Sequence, residues 1–168
     1  MKSEELRAKQ APIKEQFRNS PGSALVTLHV EGKIGEGVSC SVDTGKALIE
    51  AGLHAATGGS GLQACSGDML LQALVACAGV TLAAVATSLE IPIAGGTLRA
   101  EGDLDFRGTL GVSKEAPVGF RAVRLHIALD TSATPEKIDK LIELTERYCV
   151  VLQTLRSPLA VNTHVSTG

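Results

Sequence analysis

Residues 68–86, DMLLQALVACAGVTLAAVA, form a long apolar run that must be covered by something in the folded protein. Gln72, Gly79 and several small residues interrupt the run, so its hydrophobicity is modest for a membrane span. Its apolar spacing predicts a helix from about Met69 to Leu89, ended by the following Pro92. Because alanine and glycine let other backbones approach closely, we expect this helix at the crowded centre of a soluble fold.

Composition narrows the classes of function. A chain of 168 residues that is 44% hydrophobic, with a formal net charge of -2, fits one globular domain. A single Tyr, three Phe, no Trp and no basic excess argue against binding nucleic acid. The first ten residues, MKSEELRAKQ, lack the apolar core of a secretion signal. We therefore expect a cytoplasmic protein with reduced thiols and no membrane partner.

The first third of the chain predicts an arm followed by strands. Residues 1–22 suit a polar helical arm, broken or kinked at Pro12, and residues 23–168 suit a single domain. The segments ALVTLHVE and GVSCSV alternate apolar and polar residues, which predicts two strands joined by a hairpin over Gly32–Gly37. Residues 51–67, AGLHAATGGSGLQACSG, are typical of a glycine-rich linker.

The second half predicts two strands, a helix and a last strand. LRAEGDLDFRG and AVRLHIALD alternate with period two, and PLAVNTHV does so near the end of the chain. TPEKIDKLIELTERYC carries Thr134 as an N-cap, Pro135 in the first turn and an apolar stripe that ends at Cys149. The order β-β-α-β-β-α-β, with adjacent strands joined by hairpins, predicts an antiparallel α+β fold.

Four cysteines are the candidate reactive groups: Cys40, Cys65, Cys77 and Cys149. They contain no CxxC pair or zinc spacing, and the histidines lack ligand spacing, so we expect no metal site. Packing is the ordinary role of a buried cysteine, and Cys40 fits it, whereas Cys65 precedes a helix and could be exposed. Cys77 and Cys149 lie on the inward sides of the two long helices, where thiols can approach disulfide distance.

Two of these segments resemble a known family. SGDMLLQALVACAGVTL is similar to the OsmC/Ohr segment in which an acidic residue opens an apolar helix and a cysteine follows nine or ten residues later. LTERYCVVLQTL resembles the family's second signature, and the resemblance extends over about residues 23–165. It implies an OsmC-like fold, with antiparallel sheets around two long core helices, and an intertwined homodimer. It also implies peroxidase chemistry, with Cys77 as the peroxidatic thiolate and Cys149 as the resolving thiol.

Asp68 matches the family's acidic position, nine residues before Cys77. Nine residues are about 2.5 helical turns, or roughly 13 Å, which places the two side chains on opposite sides of one helix. Asp68 would therefore act across a dimer or through an intermediary, or would only complement the helix dipole. The family's strand arginine has no counterpart in the first predicted strand. The candidate cations are Arg18, Lys33, Arg107 and Arg147, and Val150 stands where the family usually has proline.

The sequence thus favours a homodimeric thiol peroxidase of oxidative-stress defence that reduces small apolar hydroperoxides. It would hold no bound cofactor, and an external dithiol protein would return the electrons. The absent strand arginine keeps a second hypothesis open, in which an OsmC-like protein senses redox state or binds a small molecule without efficient turnover. A third hypothesis is a structural dimer with inert buried thiols.

Overall fold

The computed structural model describes residues 2–20, 23, 31–34, 39–43, 48–157 and 159–167. Its helices are α1 (Ser3–Asn19), α2 (Ser66–Leu89), α3 (Phe106–Thr109), α4 (Pro135–Tyr148) and α5 (Val150–Arg156). Its strands are β1 (Glu31–Ile34), β2 (Ser39–Asp43), β3 (Leu48–Gly52), β4 (Ala64–Cys65), β5 (Gly95–Leu104) and β6 (Phe120–Asp130). This mixture of helices and mostly antiparallel strands confirms the predicted α+β class.

The first sheet has the order β1-β2-β3-β4. The strand β2 pairs antiparallel with β1 and β3, whereas β4 pairs parallel with β3. Residues 32–34 lie in β1, so the predicted hairpin turn over Gly32–Gly37 is wrong in its first half. The predicted linker 51–67 contains the end of β3, a 3-10 turn at Ala55–Thr57 and β4, because pairing with neighbouring strands overrides its low β-propensity. The strand predicted over residues 24–30 lies outside the described residues.

The second sheet pairs β5 with β6 over their full length, from Gly95↔Asp130 to Leu104↔Phe120. Its inner face is apolar and packs beneath α2, with Leu98 opposite Ile127 and Ala100 opposite Leu125. Its outer face is charged, and Arg124 donates two hydrogen bonds to the Asp103 carboxylate, at 2.6 and 2.8 Å. The alternation predicted from the sequence is therefore correct for both strands.

The helix α2 is the centre of the fold, and its buried side chains recur every four residues as Leu74, Ala78, Leu82 and Ala86. The helix α4 packs on α2 and places the fully buried Leu141 against Leu82 and Ala86. By length and composition α2 could cross a membrane, a test that core helices of soluble proteins also pass. Within its most apolar window, 28% of residues are buried by the rest of this chain.

The two ends of the chain differ from the prediction. The helix α1 continues through Pro12 rather than breaking there, and Arg7 ties it to α2 by donating to the Ser88 carbonyl at 3.3 Å. Residues 150–156, for which no element was predicted, form α5. The strand predicted in PLAVNTHV is absent from residues 159–167, which have no regular secondary structure. An alternating segment becomes a strand only when another strand lies beside it.

Candidate functional site

Two helices bring Cys77 and Cys149 together, although 72 residues separate them in sequence. Cys77 lies in the middle of α2, and Cys149 lies at the junction of α4 and α5. Their side chains pack in one cluster with Leu74 and Ala78, and each thiol shifts the pKa of the other. Both thiols are free. The approach expected from their inward positions is confirmed, while their chemical roles remain predictions.

A break in the helical backbone at Cys149 leaves backbone N–H groups free beside the thiols. Cys149 leaves the helical conformation at φ −73° and ψ 107°, so α4 ends before it and α5 begins after it. Its N–H still donates to the Thr145 carbonyl at 3.0 Å, and its carbonyl accepts from the Gln153 N–H at 2.9 Å. The first N–H groups of a helix have no acceptor within that helix. Those of Val150 and Val151 are therefore free to face the Cys77 sulfur.

The surroundings of the two thiols shift their pKa values in opposite directions. Burial raises the pKa of Cys77, but hydrogen bonds from the Val151 N–H, the Cys149 thiol, the Val150 N–H and the Thr81 hydroxyl together bring that pKa below its ordinary value. Burial raises the pKa of Cys149, and its hydrogen bond to Cys77 raises that pKa further. The pair therefore favours a Cys77 thiolate that accepts a hydrogen bond from a Cys149 thiol.

Access to the two sulfurs is also unequal. Cys149 is fully buried, with a side chain 0% exposed, whereas Cys77 is half-buried. A dissolved reagent therefore reaches Cys77 before it reaches Cys149. Low pKa and access coincide on one cysteine, which is the combination that marks a reactive thiol.

The structure does not bring Asp68 to the thiols. Asp68 is exposed in the first turn of α2, where a carboxylate complements the positive end of the helix dipole. It lines a shallow groove with Leu71, Gln72, Val75 and Ala76. Within a single chain, Asp68 is therefore too far along α2 to reach Cys77, as their nine-residue spacing predicted.

The candidate cations are engaged elsewhere or lie where no side chain is described. Arg18 pairs with Glu15 at 3.0 Å, and Arg107 pairs with Asp105 at 2.6 Å. The Arg147 guanidinium stacks over the neighbouring Tyr148 ring, 5.5 Å from its centroid. Lys33 lies in β1. The groups that lower the pKa of Cys77 most are uncharged donors, so the described residues supply hydrogen bonds where the family resemblance implies an arginine.

Sequence reasoning missed Thr81, which lies four residues after Cys77 on α2. That spacing places two side chains on the same face of a helix, so the signal was present in the sequence. Elsewhere in the protein, helical threonines use their hydroxyls differently: Thr87 donates to the Ala83 carbonyl at 2.8 Å, and Thr145 donates to the Leu141 carbonyl at 2.7 Å. The Thr81 hydroxyl instead donates to the Cys77 sulfur and lowers the pKa of that thiol.

The other two cysteines do not join the pair. Cys65 ends β4 immediately before α2, and the twelve residues between it and Cys77 amount to about 18 Å of helix. Cys40 lies in β2 opposite Ile34. Within the described ranges, no group of three or more His, Cys, Asp or Glu side chains is arranged to hold a metal ion.

A cavity of about 780 Å³ lies next to the thiol cluster, between β6, α2, α4 and α5. Leu74 and Leu152 line this cavity and also pack against the cluster that contains Cys149. Arg121, Glu146 and Arg156 add charged groups to its wall. Leu74 and Leu152 therefore border both the cavity and the cluster that holds the buried thiol.

Known proteins share sequence features and the fold of this chain. The model of the family described as OsmC-like protein matches residues 59–164, which include both cysteines of the pair. The OsmC-like protein from Mycoplasma pneumoniae has a similar structure, with 17% identity, a TM-score of 0.66 and coverage of 78% of this chain and 88% of that one. No curated protein sequence matches the chain.

Two further similar structures are named organic hydroperoxide resistance proteins. The protein from Elizabethkingia anophelis is 21% identical, has a TM-score of 0.63 and covers 79% of this chain and 89% of its own. The protein from Legionella pneumophila is 18% identical, has a TM-score of 0.62 and covers 79% of this chain and 90% of its own. At these identities the similarity establishes the fold.

Proposed function

Since the chain belongs to the OsmC-like protein family, we propose that it is a thiol-dependent peroxidase that reduces organic hydroperoxides through Cys77 and Cys149. The observation that carries this proposal is the contact between two thiols from different helices whose pKa values are shifted apart. Two similar structures that carry the name organic hydroperoxide resistance protein support it.

The proposed reaction begins at Cys77. Its thiolate attacks the outer oxygen of the hydroperoxide, the O–O bond breaks, and the leaving alkoxide takes a proton to become an alcohol. Cys77 is thereby oxidised by two electrons to a sulfenic acid. The hydrogen bonds from Val150, Val151 and Thr81 hold the thiolate, and the half-buried position keeps the attack in a partly apolar setting.

Cys149 completes the cycle within the protein. Its sulfur attacks the sulfenic acid sulfur, a disulfide forms, and the hydroxyl group leaves as water after taking up the Cys149 proton. The adjacent position of the two thiols makes this step intramolecular and fast relative to further oxidation. An external dithiol protein then reduces the disulfide by thiol–disulfide exchange, so no bound cofactor is required.

The reaction is tested by mixing the reduced protein with tert-butyl hydroperoxide or with hydrogen peroxide. We expect rapid loss of two thiols and a disulfide between Cys77 and Cys149 in peptide mass spectra, faster with the organic peroxide. Cys77→Ser should abolish the fast phase, and Cys149→Ser should leave a sulfenic acid that dimedone traps. Cys65→Ser is the matched control and should react like the parent. Thiols that stay reduced for hours in the parent would exclude peroxidase chemistry.

A second function is a redox sensor of the same fold, favoured by the uncharged donors around Cys77. A sensor forms the disulfide once but does not turn over. Adding dithiothreitol or a dihydrolipoyl protein with excess peroxide separates the two functions. Peroxide consumed in many equivalents per protein indicates an enzyme, whereas one equivalent indicates a sensor.

We also propose that the working form is a cytoplasmic homodimer. Only 28% of the most apolar window of α2 is buried within one chain, and Leu70 and Val80 are 38% and 72% exposed. An apolar surface of this kind is usually covered by a partner. Sedimentation equilibrium of the reduced protein should show a dimer, and a monomer at every concentration would contradict this proposal.

A further inference from the structure

A single rotated peptide group separates α4 from α5. The helix α4 ends at Tyr148 and α5 begins at Val150, so Cys149 alone joins them. The angle ψ is about −42° in an α-helix, whereas it is 107° at Cys149. This difference turns the following peptide group, which carries the Val150 N–H, by about 150° around the Cα–C bond. The Val150 N–H therefore points away from the acceptor that it would have in a continuous helix.

A glutamine side chain takes the place of that N–H. In a continuous helix the acceptor would be the Glu146 carbonyl, because each N–H donates to the carbonyl four residues earlier. The Glu146 carbonyl instead accepts a hydrogen bond from Nε2 of Gln153 at 2.7 Å. The main-chain N–H of Gln153 donates to the Cys149 carbonyl at 2.9 Å, in the first turn of α5. Gln153 thus spans the break, with its main chain in α5 and its side chain bound to the last turn of α4.

The rotated N–H has two competing acceptors, the Cys77 sulfur and the Glu146 carbonyl. The side chain of Val151 packs against the cluster that contains Cys77, so α5 begins beside the sulfur. The Val150 N–H donates to that sulfur in the broken conformation. A return to helical ψ at the junction would carry this N–H back to the Glu146 carbonyl, where it would have to displace the Gln153 amide. The amide therefore opposes the conformation in which the sulfur loses a donor.

We propose that Gln153 is a positioning residue for the Cys77 sulfur. Its side-chain amide holds the Glu146 carbonyl, so the Val150 N–H stays directed at the sulfur. Gln153 is exposed, and it acts through the main chain rather than on the reacting atoms. Its effect on peroxide reduction rests on the proposed function, in which the Cys77 thiolate attacks, because a donor to the sulfur stabilises the thiolate.

A second contact between the same two helices provides a contrast. Arg156 donates from a guanidinium nitrogen to Oε2 of Glu146 at 3.0 Å. The two side chains of this ion pair are 51% and 44% exposed, and exposed ion pairs contribute little to stability. The acceptor is the Glu146 carboxylate, which is not the group that competes for the Val150 N–H. Loss of this ion pair therefore tests whether any tether between α4 and α5 suffices, or whether the carbonyl itself must be held.

The first test measures the pH midpoint of alkylation by iodoacetamide on the Cys77 peptide, with the Cys65 peptide of the same sample as reference. Gln153→Met keeps the side-chain length and removes the donor. We expect it to raise the Cys77 midpoint by at least about 0.3 pH unit, a twofold change in the thiolate equilibrium, and to leave Cys65 unchanged. Gln16→Met, at an exposed position of α1, and Glu146→Gln, which breaks only the ion pair, should not raise it. An unchanged midpoint in Gln153→Met, or an equal rise in Glu146→Gln, would overturn the proposal.

The second test removes the N–H that Gln153 is proposed to direct. Proline lacks an N–H, is tolerated at the first position of a helix and favours an extended preceding residue, which Cys149 already is. Val150→Pro should therefore keep the break and raise the Cys77 midpoint by about 0.4–1 pH unit, the equivalent of one net hydrogen bond. In the Val150→Pro background Gln153→Met should add nothing, because no N–H remains to be directed. Additive shifts in the double variant would show that Gln153 acts by another route and would overturn the proposal.

Alkylation requires no peroxide, so the positioning role and the peroxidase reaction are judged separately. If the parent protein consumes tert-butyl hydroperoxide and Gln153→Met leaves the Cys77 midpoint unchanged, the positioning role is refuted and the proposed function stands. If the parent ignores the peroxide and the midpoint still rises in Gln153→Met, the proposed function is refuted and the positioning role stands. If both proposals hold, Gln153→Met should also slow the oxidation of Cys77 about twofold at a pH below its midpoint.

Discussion

Leu74 lines the cavity and also packs in the cluster that contains Cys149, so its truncation should have two measurable effects. The side chain is 0% exposed and packs in the same cluster as Ala78 and Cys149. Leu74→Ala removes three carbon atoms, and at about 0.8 kcal/mol for each buried methylene the lost transfer free energy is about 2.4 kcal/mol. The enlarged void adds to this loss, so we expect the free energy of unfolding to fall by about 2.5–4 kcal/mol.

The second effect is on thiol access. Because Leu74 lines both the cavity and the thiol cluster, its truncation opens a path from the cavity to Cys149. Urea unfolding at fixed protein concentration measures the first effect, and N-ethylmaleimide labelling of Cys149, quantified on its peptide, measures the second. We expect Cys149 to be protected in the parent and labelled faster in Leu74→Ala.

Two controls define what would refute this reasoning. Leu74→Met keeps the volume and should cost less than about 1.5 kcal/mol. Leu110→Ala truncates a leucine that is 54% exposed and should change stability by no more than about 0.5 kcal/mol. A Leu74→Ala variant as stable as Leu110→Ala would show that the Leu74 side chain does not contribute to the core. A variant in which Cys149 stays fully protected would show that Leu74 does not shield this thiol from the cavity.

The rate at which iodoacetamide alkylates Cys77 should rise with pH at a midpoint below that of an ordinary cysteine. The reason is that the donors around the sulfur favour the thiolate more than burial disfavours it. A midpoint at or above the ordinary value would contradict this environment. Thr81→Val should raise that midpoint and slow oxidation by peroxide, whereas Thr81→Ser keeps the hydroxyl and should preserve both; identical midpoints would remove Thr81 from the site. Gly102→Ala should destabilise the protein by about 1–3 kcal/mol in urea unfolding, because a Cβ there would overlap the Phe120 ring, and an unchanged midpoint would show that the ring moves freely. Gly95→Ala, which has open space around it, is its control and should stay within about 0.5 kcal/mol of the parent.

Local signals in the sequence located the helices well. Thr134 and Pro135 predicted the start of α4, and its apolar stripe predicted that Leu141, Thr145 and Cys149 are buried. The central helix predicted from about Met69 is present and begins three residues earlier, at Ser66. These features depend on capping and on a period of 3.6 residues, which are encoded within one or two turns of chain.

Strand pairing was predicted less well, because a strand is stabilised by residues far away in sequence. The alternation in β5 and β6 was clear, since one face of each is buried and the other is charged. The strands β3 and β4 were not predicted, because β3 ends in the glycine-rich segment 51–67 and β4 lies within it. The alternating segment 159–165 is not a strand in one chain, because no described strand lies beside it.

The sequence by itself determined that the chain has two long helices, each with an inward cysteine, and the resemblance of their motifs predicted the OsmC-like family. Only the tertiary structure decided which groups surround those cysteines. The donors that lower the pKa of Cys77 come from one turn along its own helix and from residues more than 70 positions away. Periodicity specifies which face of a helix is buried, but the chemistry of a buried sulfur depends on the donors that packing places within a few ångströms of it.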